Sequence, residues 1–301
     1  MPIISVIITA YGNPLLLFNA IKSVLCQTLI DFELIIVDDN DSGSINREKT
    51  SNIVDMFAKK DQRIIYIKHG KNQNGAVARN TGIKACKGLY IAFLDSDDEY
   101  LPSRLELCHD ALINTKDSKL LGVYTGCEFR RNNRKYKVLK YVKSGNFIVE
   151  TLAGNFNFGT GSNIFMRSDV VRKLMFDETF TRHQDYEFLV RYFTEYDLIG
   201  LNQVLVIKNN DNNNLPSPEK MVEIKKQYIE KYANIIESYD ESIANKILSA
   251  HCISLSKSFA TIGKFQEAIK YMKKGSSINT VRIFDRLKIL LLLAKSIFKQ
   301  L

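Results

Sequence analysis

Cysteine is scarce in this sequence and poorly placed for cross-linking. The five in 301 residues, Cys26, Cys86, Cys108, Cys127 and Cys252, are odd in number, widely spaced and without a CxxC pair. That pattern argues against a disulfide framework and against a thiolate zinc site, so they read as small buried hydrophobes. Also missing is any apolar run of about 18 residues, the length that a membrane-spanning helix requires. The longest in the C-terminal tail, Ile289 to Ala294, is closed off by Lys288 and Lys295. No basic stretch precedes the first apolar run, which ends at Thr9 and is short and β-branched. It suits a buried strand better than a secretion signal, and a cytoplasmic location is expected. Gly159-x-Gly161 lacks both the third glycine and the preceding first strand of a dinucleotide-binding loop.

At 45% hydrophobic residues the chain is long enough for one large α/β domain plus an appendage. Its net charge of +9 is uneven: from Lys264 onward nine Lys or Arg face only Glu267 and Asp285, which places +7 in the tail. A basic tail can meet nucleic acid, a phosphorylated substrate or an anionic membrane. Here the cations accompany leucine rather than aromatic stacking residues, which disfavours nucleic acid. Ile283, Leu287, Leu290, Leu291, Ala294 and Ile297 or Phe298 recur at helical intervals, flanked by Arg282, Arg286, Lys288, Lys295 and Lys299. Such a helix can lie in a lipid interface, peripheral to an anionic membrane, or pack the same stripe into a protein core.

Strand-like and helix-like runs alternate through the first hundred residues. Ile3 to Thr9 reads as a strand, and Asn13-Pro14 as an N-cap with proline at the first helical position. Further strands are predicted at Glu33–Val37, Ile64–Ile67 and Leu89–Leu94, with helices near Ile53–Ala58 and over Ala76–Cys86. Near-continuous apolar strands alternating with helices imply a mostly parallel, Rossmann-like sheet that binds ligands at the carboxyl ends of its strands. Three strands end in chemistry-bearing residues: Thr9-Ala10-Tyr11, Asp38-Asp39 and Asp95-Ser96-Asp97-Asp98. Two carboxylates in Asp95-x-Asp97 suit a hard divalent cation shared with substrate phosphates, although Asp98 can equally cap a helix near Pro102.

Later elements are mixed: a strand around Leu120–Phe129, a basic stretch Arg130–Lys143, a glycine-rich segment Asn155–Asn163, a helix Asp185–Tyr192 and a strand Leu198–Ile207. Residues 209–218 have linker composition, dividing a domain of residues 1–208 from a helical region at 219–301. Within the latter, Gly263–Ala268 with Tyr271 resembles a single tetratricopeptide-type hairpin.

Ser5–Tyr11, Val37-Asp38-Asp39-Asn40, Asn74–Gly82 and Gly88–Asp98, in that order, closely resemble the signature of family 2 inverting glycosyltransferases with the GT-A fold, of the bacterial surface-polysaccharide type. The resemblance covers roughly the first 205 residues. It implies that Thr9, Ala10, Tyr11 and an acid of the Asp38/Asp39 pair hold the base, usually uracil. Arg79 would approach the nucleotide with its planar fork of donors. Asn72 or Asn74 would assist it, Asp95 with Ser96 would face ribose or sugar, and Asp97 would bind Mn2+ or Mg2+. Phe176–Arg191 resembles the family's second signature, which makes Asp185 the candidate base for deprotonating the acceptor hydroxyl. Gln184 stands where that signature usually has an acid, and His183 and Gln184 offer hydrogen bonds to sugar hydroxyls. A UDP-sugar donor and a lipid-linked glycan acceptor follow from the resemblance. The rivals are a sugar-1-phosphate nucleotidyltransferase, whose glycine-rich basic loop after the first strand is absent, and a non-catalytic scaffold acting through the helical region.

Overall fold

A computed structural model describes residues 1–209 and 216–298, so most of the expected linker lies outside the described residues. The elements in chain order are β1 (Ile4–Ala10), α1 (Pro14–Leu25), β2 (Phe32–Asp38), α2 (Ile45–Ala58), β3 (Ile64–Lys68), α3 (Gly75–Ala85), β4 (Tyr90–Asp95), β5 (Asp98–Tyr100), α4 (Arg104–Asn114), β6 (Leu120–Arg131) and β7 (Arg134–Leu139). There follow α5 (Ile148–Leu152), a 3-10 turn (Gly161–Asn163), β8 (Phe165–Arg167), α6 (Ser168–Leu174), α7 (Gln184–Phe193) and β9 (Asp197–Asn209). The last are α8 (Pro218–Lys231), α9 (Ala233–Glu237), α10 (Glu241–Thr261), α11 (Phe265–Ile278) and α12 (Ile283–Phe298). Two compact units emerge: Met1–Asn146 with Asn157–Asn213, and Phe147–Phe156 with Asn214–Leu301.

The first unit is built on one mixed sheet in the order β3-β2-β1-β4-β8-β6-β9-β5, with β7 hairpinned onto β6. Its β3-β2-β1-β4 half is parallel, as the alternating pattern predicts. Ile4, Val6, Ile8, Leu34, Ile36 and Leu94 are buried against Leu17, Ile21 and Val24 of α1. Asn13 caps α1 by accepting from the Leu15 amide at 3.2 Å. On the other face α3 packs close because residue 82 is glycine: a Cβ there would sit 2.5 Å from Ile7 Cγ2. The register puts Thr9 opposite Asp95 and Ala10 opposite Asp38, so three neighbouring strand ends lie side by side.

The basic stretch Arg130–Lys143 contains β7, which the charge pattern conceals. Asn132 and Asn133 both adopt positive φ (48° and 58°) between Arg131 and Arg134, the geometry of a tight hairpin turn. The cysteines Cys86, Cys108, Cys127 and Cys252 are buried, but Cys26 is exposed at the end of α1.

The second unit pairs α10 with α11 as a helical hairpin, Phe259 stacking on Tyr271 at 5.5 Å and Ser256 Oγ donating to the Ala268 carbonyl at 2.6 Å. It also takes in α5, a segment whose sequence position lies inside the first domain. The Tyr228 hydroxyl donates to the Thr151 carbonyl at 2.9 Å, and His251 Nε2 lies 2.7 Å from the Leu152 carbonyl oxygen. Among the described residues no helix is long and apolar enough to cross a membrane.

Candidate active site

The acids at the strand ends are held by dense local hydrogen bonding. Asp38 is fully buried: Oδ1 accepts from the Asn40 amide (3.0 Å) and side chain (2.7 Å), and Oδ2 accepts from the Tyr66 hydroxyl at 2.5 Å and pairs with Arg47 Nε at 2.9 Å. Both oxygens thus belong to the fold, and of the Asp38/Asp39 pair Asp38 is not presented to a ligand. Asp39 gathers the next loop. Oδ1 accepts from the Gln73 amide (2.9 Å) and lies 2.7 Å from His69 Nδ1, while Oδ2 accepts from Asn72 Nδ2 (2.8 Å) and the Asn74 amide (3.1 Å). With both its oxygens taken up by these donors, Asp39 fixes the shape of the 69–74 loop.

The geometry separates the two asparagines. Asn72 is the one whose side chain reaches Asp39, whereas Asn74, with φ +85°, bonds Asp39 through its backbone amide and turns its side chain to cap α3, accepting from the Ala76 amide at 2.8 Å. Tyr11 stands 61% exposed beyond the end of β1, while Thr9 is half-buried and Ala10 buried.

Arg79 on α3 ties the site together. One guanidinium nitrogen donates to Asp95 Oδ1 at 2.7 Å and another to Gln184 Oε1 at 2.8 Å, with the guanidinium 5.3 Å from the Phe176 ring centroid. The fork thereby joins the end of β4 to the start of α7, and Gln184 lies 105 residues beyond Arg79 in sequence. Asp185 follows at once: a Cβ built on Gly161 would lie 3.8 Å from Arg79 Nη2 and 3.8 Å from Asp185 Oδ2. The Asp185 carboxylate sits in the first turn of α7, where unpaired amides favour an anion. His183 precedes that turn in the left-handed region, its ring 5.8 Å from Tyr186.

Asp95, Asp97 and Asp98 bring carboxylate oxygens within 4.8 Å of one another. Ser96 and Asp97 occupy the turn between β4 and β5, and the Asp97 carbonyl accepts from Asn209 Nδ2 at 2.9 Å. Burial works against the charge on Asp95, but Arg79 and Lys208 overcome it and hold the carboxyl below the usual carboxylate range. Asp98 does not cap the following helix. It lies buried on β5, accepting from Thr160 Oγ1 (2.8 Å) and Ser162 Oγ (2.6 Å), and α4 begins at Arg104 after Ser103. Burial pushes its carboxyl up to about 7, Lys208 opposing and Asp97 and Asp95 adding to the rise.

The glycine-rich segment is therefore a wall behind the acids. Thr160 and Ser162 hold Asp98, and Asn163 accepts from buried Arg104 Nη1 at 3.0 Å and donates to the Thr125 and Phe158 carbonyls at 2.7 Å. Lys208, near the end of β9, is the cation that sequence reading missed. Burial alone would lower its pKa, but Asp98, Asp95, Asp97 and Asp185 hold the ammonium above the usual lysine range. His69 was missed too, although its place one residue after β3 makes it a fourth strand end beside the three that were read.

This constellation at the carboxyl ends of a parallel half-sheet accompanies a family match: the model for glycosyl transferase family 2 covers residues 5–175, more than half the chain. The chain belongs to glycosyl transferase family 2. A relative agrees: an uncharacterized glycosyltransferase of Methanocaldococcus jannaschii is 31% identical over 245 residues, 77% of each chain. The amylovoran biosynthesis glycosyltransferase AmsB of Erwinia amylovora is 29% identical over 206 residues, 67% of this chain and 66% of AmsB. In fold, the chain is similar to S. aureus TarS 1-349 in complex with UDP-GlcNAc, with a TM-score of 0.64 at 16% identity over 98% of this chain and 88% of TarS 1-349. The fold is thus of the GT-A kind with a helical region added.

Three chemical properties follow. The carboxylates of Asp95, Asp97 and Asp98 form an oxygen-only donor set of the kind that hard divalent cations accept, and the family's metal fits them. Lys208 and Arg79 bring positive charge beside the acids. Asp185 is a carboxylate beside, rather than inside, the acid cluster.

Proposed function

We propose that this glycosyltransferase works with inversion, moving a hexose from a UDP-sugar to an acceptor hydroxyl, and that the acceptor is a lipid-linked oligosaccharide of surface-glycan synthesis. The observation that carries the reading is the Arg79 fork between Asp95 and Gln184, with Asp185 next after Gln184 and both Arg79 Nη2 and Asp185 Oδ2 within 3.8 Å of where a Cβ on Gly161 would sit. It supports a nucleotide-holding strand end and a separate carboxylate meeting across one residue. The complex of TarS with UDP-GlcNAc and the biosynthetic role in the name of AmsB support the donor class and the setting.

In this reading the loop that Asp39 gathers, with Asn72 and the turn Thr9 to Tyr11, lies along the base. Arg79 and Asp95 orient ribose and diphosphate, with Ser96 alongside. Asp97 and Asp95 would hold Mn2+ or Mg2+, which when bound offsets the charge that gathers on the leaving diphosphate. Lys208 adds a resident charge to the same end. Asp185 takes the proton of the attacking hydroxyl, a step typically worth ~10²–10⁴-fold in rate. Gln184, neutral where an acid is usual, accepts from one Arg79 nitrogen without cancelling its charge, so the guanidinium, paired with the single carboxylate of Asp95, keeps more of its field for substrate oxygens. His183, at the mouth of α7, contributes to sugar hydroxyl recognition.

We place the enzyme in the cytoplasm, peripheral to the inner membrane through α12. Its exposed stripe is Ile283, Phe284, Leu287, Leu290 and Leu291, while a different face, Ile289 and Leu293, is buried against α10. The two alternatives for the tail are thus served by two faces of one helix. Hydrolysis of a panel of nucleotide sugars, with manganese and then with chelator, tests the donor assignment. Turnover confined to UDP-hexoses and stopped by chelation supports it, and turnover of a GDP-sugar alone or indifference to chelation overturns it.

A further inference from the structure

The helical unit contains a cavity of about 900 Å³ between α10, α12, the 279–282 connection and α5. It falls within the range of ligand pockets, ~300–1,000 Å³, and is far roomier than a bare oxyanion needs. Lys246, Lys257, Arg282 and Lys288 line it against only Glu150 and Asp285. Asp285 is committed to Lys257 by an ion pair. Among the described residues Lys246, Arg282 and Lys288 have no carboxylate within ion-pairing distance, and all three are exposed. Three unpaired cations around one concavity repel each other, and an anion that enters it relieves that repulsion.

The same α12 that sends Lys288 to the cavity, directly after Arg282 of the preceding connection, presents its bare apolar stripe to solvent, Phe284 at 80% and Leu291 at 62% exposed. A soluble anion accounts for the cations but leaves the stripe uncovered. An anionic lipid accounts for both, because its head and its chains join at the depth where an interfacial helix lies. We propose that this cavity seats the phosphate-bearing head group of an anionic lipid while the Phe284–Leu291 stripe enters the acyl boundary. This deepens the peripheral-membrane reading of α12 and rests on it.

Flotation of the full chain with phosphatidylglycerol/phosphatidylcholine vesicles, and with phosphatidylcholine alone, tests the assignment. The variants are K246Q/K288Q in the cavity and L287S/L290S on the stripe. None of these residues belongs to the sugar-transfer site, and circular dichroism checks that each variant is folded. At ~1 kcal/mol per basic residue near an anionic surface, the cavity pair should weaken binding to the anionic vesicles about 30-fold and leave the weak binding to neutral vesicles unchanged. The stripe variant should lose binding to both. If the stripe variant detaches while K246Q/K288Q binds like wild type, the membrane reading survives and the cavity proposal falls. If wild type binds neither vesicle, both fall. Calorimetric titration with glycerol 3-phosphate separates the sources: saturation of the cavity at micromolar concentration would assign it to a soluble phosphate and overturn the lipid assignment.

Discussion

The two units of this glycosyltransferase treat charge in opposite ways. In the sheet unit the acids at the strand ends are closed off by their own neighbours: Asp38 by Arg47 and Tyr66, Asp39 by His69 and Asn72, Asp95 by Arg79. In the helical unit Lys246, Arg282 and Lys288 stand around a cavity with too few carboxylates to match them. A site that must hold reacting atoms to within a fraction of an ångström gains from side chains fixed before substrate arrives. A site that only has to attract a charged surface needs no such fixing. The difference teaches that internal pairing here accompanies fixed geometry, and the proposed lipid contact assigns the unpaired charge to attachment.

The strongest break of that contrast concerns Asp185, whose place directly after the Gln184 that Arg79 bonds, bordering Gly161, argues for a reacting group rather than a packing one. Asp185→Asn should lower the transfer rate by ~10²–10⁴-fold while leaving the affinity for UDP within a factor of two or so. Single-turnover kinetics beside calorimetric UDP binding make the check, and a variant with wild-type turnover would remove Asp185 from the chemistry.

Next in size is Asp97→Asn. Loss of an outer-shell partner typically costs 10–100-fold in metal affinity, and loss of a ligand itself should cost more than about 100-fold. Manganese binding followed by electron paramagnetic resonance reads this directly. Unchanged affinity would shift the metal onto Asp95 and Asp98 alone.

How much of this was legible beforehand depended on whether the signal was local. The parallel half-sheet could be read because β1, β2 and β4 are short, mostly apolar runs, and two of them, β2 and β4, end abruptly in acids at Asp38 and Asp95, a signal visible within ten residues. The Arg131–Arg134 hairpin could not, because charge on both strands hides the alternation that marks a half-buried strand. Lys208, Arg104 and Asn163 were invisible as site residues for another reason: their partners lie far away in sequence, Arg104 bonding Asn163 across 59 positions. The membership of α5 in the helical unit depends on the same kind of long-range contact, through Tyr228 and His251. On α12 the exposed stripe was readable, but Ile289 and Leu293 sit in the same leucine-rich run, and periodicity alone does not say which of two apolar faces is covered.

A smaller effect sharpens the comparison from the sheet side. Asp98 is buried with a carboxyl raised from 3.8 to about 7, so between those pH values the folded chain keeps a proton that the unfolded chain has released. Stability must then fall as pH rises across that window. Asp98→Asn keeps an acceptor for Thr160 and Ser162 and has no proton to lose. Melting temperatures recorded with chelator from pH 4 to 7 should decline for the wild type relative to the variant, and parallel curves would show that Lys208 keeps Asp98 ionised throughout.

The helical unit supplies the mirror case, and the smallest shift. Lys225 is buried, and burial lowers its ammonium from 10.5 to about 8, with His251 Nδ1 3.4 Å away. Below pH 8 the lysine is charged in both states and the fold bears the whole cost of burying that charge. Between pH 8 and 10.5 the folded chain has lost the proton while the unfolded chain still binds it, so stability rises with pH. Lys225→Met matches the stem in length and removes the charge, so the variant should melt above wild type at pH 7 and the gap should narrow as pH approaches 10.5. Differential scanning calorimetry across that range decides it. A gap that stays constant would mean that Lys225 remains protonated by a partner strong enough to offset its burial, and the helical unit would then pair its interior charges as the sheet unit does.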